Sequence, residues 1–177
     1  MAKKRKKSTL GLVFSAGAVL FAIAAVCMMF LNAVELVSGE NVLAQYTGVQ
    51  VAFGYSETYP LIGEVKFLNF SIMNLLPYIL ALAGAVVALL AALSKKSFLL
   101  NIIAVACFVA AAVFFFTAAS YVSVAGSEGS GTLNVLVKNI VDALKNGDNL
   151  KIAIGSILGG AFSVGAAACS ALKIFVK

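Results

Sequence analysis

Cys27, Cys107 and Cys169 are the only thiols in the chain, and histidine is absent. Without an imidazole there is no serine–histidine pair for an intramembrane protease. The two aspartates, Asp142 and Asp148, lie in polar sequence, whereas an aspartyl intramembrane protease needs its carboxylates within the bilayer. Ion-coupled transport and proton relays also place ionisable groups in the membrane. The four glutamates of the first half, Glu35, Glu40, Glu57 and Glu64, lack the spacing of a calcium loop. No metal-ligand spacing occurs elsewhere, so the sequence predicts no catalytic residue, no metal and no cofactor.

The elements that would carry any chemistry are apolar. Apolar residues make up 62% of the 177 and charged residues 11%, against about 25% in soluble domains. Four stretches reach the roughly 20 apolar residues that span a bilayer: 10–31, 72–93, 98–120 and 152–176. All three cysteines fall inside them. At about 1.5 Å rise per residue their depths differ by several ångströms or more, so they are expected to be packing residues rather than disulfide partners.

Charge orients the threading. Placing the tail 1–9 in the cytoplasm also places the 94–97 turn and the C-terminus there. Nine of the 13 basic residues then lie inside, including Lys3, Lys4, Arg5, Lys6, Lys7, Lys95 and Lys96, and all seven acids lie outside. Basic residues near span ends resist translocation, so both termini are expected in the cytoplasm. The KKRKK run therefore reads as a topology signal beside a span. It lacks the aromatics that stack on nucleic-acid bases, and no nucleic-acid partner is expected. The first apolar run is about twice the length of a signal-peptide core, which favours an uncleaved anchor.

The spans are rich in small residues. Gly155, Gly159 and Ser163 recur at intervals of four, as do Ala161, Gly165 and Cys169. Such stripes let helices approach closely, either within one bundle or against another subunit. Asn74 and Asn101 lie within about a turn of span ends and read as interfacial.

The first connecting segment, 32–71, contains YTGVQVAFGY, which alternates strictly. Val49, Val51, Phe53 and Tyr55 would face one way on a strand. The stretch Glu64–Phe70 is a second candidate strand, with SETYPLIG as the turn. In the second segment, 121–151, the positions Leu133, Leu136, Val137, Ile140, Val141 and Leu144 follow the spacing of one helical face. This predicts an amphipathic helix over 132–146. It either lies on the outer leaflet or roofs the bundle against the hairpin.

The expected fold is all-α and integral to the membrane: a four-transmembrane-helix bundle under a small external cap of one β-hairpin and one amphipathic helix. Four spans, both ends inside, and a long strand-bearing first loop resemble the claudin-type tetraspan arrangement. The alanine-rich spans and lysine-rich ends also resemble small tetraspan proteins of bacteria. The claudin first-loop signature uses tryptophans and a cysteine pair. This chain has no tryptophan and no loop cysteine, so the resemblance assigns no site residue. The function expected is non-enzymatic: assembly or protein–protein interaction at the plasma membrane. Its partners would be the lipid bilayer and either a second copy or another membrane protein. The alternative is a channel or transporter subunit with an uncharged path.

Overall fold

The structure, a computed structural model, describes residues 9–60, 63–94, 97–125, 142, 144 and 149–176. In chain order the elements are α1 (Thr9–Cys27), a 3-10 turn (Met28–Phe30), β1 (Asn32–Ser38), β2 (Asn41–Thr47), α2 (Gly48–Phe53), β3 (Tyr55–Tyr59), β4 (Gly63–Leu68), α3 (Ile72–Leu93), α4 (Ser97–Phe116), a second 3-10 turn (Ala118–Tyr121), β5 (Leu150–Ile152) and α5 (Ile154–Phe175).

Among the described residues four helices are long and apolar enough to cross a membrane: Leu10–Phe30, Ile72–Leu93, Phe98–Phe116 and Ile154–Phe175. Their ends follow the apolar runs closely. The third stops short of Ser120, the backbone leaving helical geometry at Thr117 (φ −108°, ψ 11°). The backbone then tightens into the second 3-10 turn. In hydrocarbon the helix is one of the few structures that satisfies its own backbone polar groups.

The helices form a ring in the order α1, α3, α4, α5, each packed against its two neighbours and antiparallel to both. Their facing surfaces are built from small residues. Ala18, Ala22, Ala81, Ala88, Ala104, Ala111 and Ala166 are buried between them. Large aliphatic side chains point outward, Leu20, Leu82, Val86, Leu89, Val109 and Val113 all being exposed, while the aromatic Tyr78, Phe108 and Phe115 are buried. Water would penalise such a surface, whereas lipid tails solvate it. Helix contacts in lipid are accordingly made by small residues. The protein is thus a multi-pass membrane protein by the composition and arrangement of its helices.

At one end of the bundle sits a cap whose described residues hold five strands in two antiparallel sheets, more than the single hairpin expected. β1 lies in the centre of a three-stranded antiparallel sheet, ordered β2-β1-β5. Gly39 and Glu40 form the two-residue loop between β1 and β2. Gly39 takes φ 62°, the glycine placement of a type II′ turn. β3 and β4 form a separate antiparallel hairpin. The free side of β4 is joined by the segment after α4, through the Leu68–Val124 bridge and the bonds Asn69 N–H to Ser123 O and Ala125 N–H to Phe67 O. The two sheets meet across one core containing Val34, Leu36, Tyr46, Phe67, Leu68 and Leu144.

The strand expected over residues 46–55 is not formed. Gly48–Phe53 is a short helix, started by a capping box in which the Gln50 N–H donates to Thr47 Oγ1 and the Thr47 N–H donates to Gln50 Oε1. These reciprocal bonds satisfy two backbone donors that an extended chain would leave seeking partners. The helix buries Gly48, Val51 and Ala52, a spacing of three and four rather than two. Val49 is therefore half-buried, and Phe53 is exposed rather than in the cap core. The hairpin does exist, but its first strand is Tyr55–Tyr59, which begins at the last residue of the expected strand and runs through the first half of the stretch expected to turn. Of the predicted helix 132–146, only Asp142 and Leu144 are among the described residues. Both are helical; Asp142 is exposed and Leu144 is buried. Leu136 and Ile140 lie outside the described residues.

Candidate functional site

The small-residue positions of α5 are occupied by groups from within the chain, but not in the manner of a backbone-to-backbone stripe. A Cβ on Gly159 would lie 2.7 Å from the Phe115 ring, and one on Gly160 would lie 2.6 Å from Phe116. On the opposite side of α4, a Cβ on Gly84 would lie 2.6 Å from Phe108. α4 thus seats aromatic rings into glycine hollows on both of its neighbours. Tyr78 of α3 closes against Phe115 edge to face, with ring centroids 5.0 Å apart. Ser163 is fully buried and donates to the Gly159 carbonyl at 2.8 Å. Gly165 is in ordinary contact with Phe21 of α1.

Gly155 has a different neighbour. A Cβ there would lie 2.8 Å from the Asn32 carbonyl oxygen, so this glycine admits the cap rather than a helix. Next to it, Ser156 donates to the Ala33 carbonyl at 2.8 Å, and the Ala153 N–H donates to the same oxygen at 2.9 Å. On the other flank, Gly48 sits against the Tyr78 hydroxyl and the Met29 carbonyl, and its N–H donates to Leu31 O. Ser71 completes the seat: its hydroxyl donates to Tyr121 O at 2.8 Å and its N–H to Ala52 O at 2.9 Å. Ser156 and Ser71 were not singled out in the sequence. Each is an ordinary small residue until its cross-chain neighbour is known. Asn74 and Asn101 are buried in the bundle rather than interfacial; the Asn74 amide donates to Ser71 Oγ at 3.2 Å.

The outer surface of the cap is polar and mainly acidic. Glu35, Glu40, Glu57, Glu64 and Asp142 are the carboxylates among its described residues, against Lys66 and Lys151. Asn32, Gln45 and Glu35 form a side-chain chain across β1 and β2, with the Asn32 amide donating to Gln45 Oε1 at 2.7 Å. Tyr59 donates to Glu57 at 2.9 Å. Tyr46, buried between the sheets, meets Tyr55 edge to face. Burial first, then the nearby Tyr55, Tyr59 and Glu57, pushes the Tyr46 phenol up to about 12. Beside Leu144 a cleft of about 640 Å³ opens between the segment after α4 and β5. Its described lining is apolar apart from Ser120 and Ser123.

The three cysteines are free thiols, and Cys169 faces α1 at Gly17. Among the described residues no three carboxylate or thiol side chains gather to hold a metal ion. The topology residues Lys3, Lys4, Arg5, Lys6, Lys7, Lys95 and Lys96 lie outside the described residues. Among the described residues the outer edge of β2 is paired on one side only, and its exposed first half carries Val42 and Leu43. Compared with protein-family models, curated proteins and solved structures, the chain matches none of the three.

Proposed function

We propose that the protein is a non-enzymatic component of the plasma membrane, with both termini cytoplasmic, that binds another protein or a second copy of itself through its cap. The observation that carries this reading is the β2 strand, paired on one side only among the described residues, with Val42 and Leu43 exposed at its start. An unpaired strand edge is a ready template for another chain, and strand addition is a recurrent mode of recognition. The cap that bears this edge is tied to the bundle on both flanks, at Ser156 and at Ser71, so the edge is presented from a fixed platform. The bundle beneath is filled by Phe108 and Phe115 seated on glycines, which favours a support over a conduit. The threading rests on the basic residues, nine of which fall on the side opposite the cap with no acid among them.

The test is the mass of the protein in lipid nanodiscs, alone and as isolated with its membrane partners. Wild type is expected as a complex, and Leu43→Lys as a smaller species with unchanged thermal stability. If wild type is a lone monomer and releases small solutes from reconstituted vesicles, the channel alternative replaces this reading.

A further inference from the structure

We infer that α2 is a membrane-interface anchor: Phe53 and Phe70, together with Phe30, insert at the boundary between headgroups and acyl chains in the leaflet on the cap side. Three observations lead there. Phe30, Phe53 and Phe70 are 74%, 55% and 53% exposed, so none is explained by the core of the cap or of the bundle. All three lie at one level. Phe30 ends the first span, Phe70 is two residues before α3 begins, and Phe53 packs on Phe70 with centroids 6.4 Å apart. The Ser71 N–H bond to Ala52 O holds α2 at that height.

The level coincides with the edge of the hydrocarbon. The 22 residues of α3 rise about 33 Å at about 1.5 Å each, which matches a core of about 30 Å. The patch is also continuous with the lipid-facing surface, because Ile72 and Met73 of α3, two and three residues after Phe70, are exposed. Phenylalanine is among the residues that interfacial helices bury at the boundary of headgroups and acyl chains. A protein partner at the same place would have to displace lipid that the adjoining span already requires. Neither α2 (GVQVAF) nor the stretch 69–73 (NFSIM) contains a charged residue. The anchor therefore recognises the acyl boundary and not headgroup charge. It gives α2 a role that alternation in the sequence concealed: the bilayer holds the cap from the side while Ser156 and Ser71 hold it from below.

The chain has no tryptophan, so a single introduced indole is a background-free depth probe. Phe53→Trp and Phe70→Trp would each be placed in vesicles containing phosphatidylcholine brominated either near the headgroup end or near the terminus of the acyl chain. Val86→Trp, exposed in the middle of α3, and Glu40→Trp, in the exposed turn of β1 and β2, mark hydrocarbon and water. The expected result at residues 53 and 70 is blue-shifted emission, quenched more strongly by shallow than by deep bromines and unchanged when anionic phosphatidylglycerol is added. Emission like that of Glu40→Trp would mean that the patch faces water and would overturn the inference. Blue emission that neither lipid quenches would mean that protein covers it, and would overturn the inference equally.

Discussion

In the bundle, alanine, glycine and serine lie inside while leucine, valine and isoleucine lie outside; in the cap, Leu36, Tyr46, Phe67 and Leu68 are buried while Ser38, Glu40, Ser56 and Glu57 are exposed. The same chain uses opposite rules a few ångströms apart. The cap is assembled by removing apolar area from water. The bundle gains little that way, because its unpacked helices would already be in hydrocarbon. It is assembled by close contact and shape, which is why rings enter glycine hollows. The seam between the two regimes is where the hydrogen bonds concentrate, at Ser71, Ala33 and Ser156.

This contrast can be broken most severely in the cap core. Leu36 is fully buried, and Leu36→Ala should cost about 2–5 kcal/mol. The expected readout is rapid proteolysis of the cap while the four spans remain inserted. Next in size is Gly159→Leu, where the new side chain must displace the Phe115 ring. Overpacking of this kind costs about 1–3 kcal/mol, seen as a lower melting temperature in lipid nanodiscs. A melting temperature equal to wild type would mean that Gly159 faces lipid.

A smaller effect should follow pH. The ordinary tyrosine value is 10.0, and the folded cap holds Tyr46 near 12, so folding favours the neutral phenol. That contribution is full below pH 10 and is lost as pH rises from 10 through about 12. Cap proteolysis should therefore accelerate over that window, and Tyr46→Phe should flatten the rise. The smallest effect is the sharpest contrast with Leu36. Leu82 is an exposed leucine of α3, and Leu82→Ala should change stability by less than about 0.5 kcal/mol. A cost like that of Leu36→Ala would show that Leu82 is packed against protein.

The spans were legible because length and the lack of charge define them almost without reference to neighbours. Glu64–Phe70 was legible as a strand for a similarly local reason, its alternation. Gly48–Phe53 was misread because Val49, Val51 and Phe53 alternate in sequence while Thr47 and Gln50 carry a capping box. Two hydrogen bonds at the helix start outweighed the pattern. β1 escaped notice because both of its faces are covered: Ala33 and Val34 are both buried, as are Leu36 and Val37, which erases the period of two. The Gly39-Glu40 loop between NAVELVS and NVLAQYT was the available signal. β5 has three residues and is specified by its partner, not by itself. The glycines of α5 were visible as a stripe. That Phe115 fills one and the Asn32 carbonyl approaches another depends on the order of helices around the ring, which no single segment encodes.

Labelling with a membrane-impermeant maleimide tests the central claim most directly, in a background lacking Cys27, Cys107 and Cys169. Glu40→Cys reports the cap, Val86→Cys the outward face of the bundle, and Ser94→Cys the opposite end. On intact cells Glu40→Cys should label, Ser94→Cys should label only after permeabilisation, and Val86→Cys should stay unlabelled until detergent removes the lipid. Labelling of Ser94→Cys from outside would invert the threading, and labelling of Val86→Cys without detergent would mean that the outward face of the bundle meets water rather than lipid.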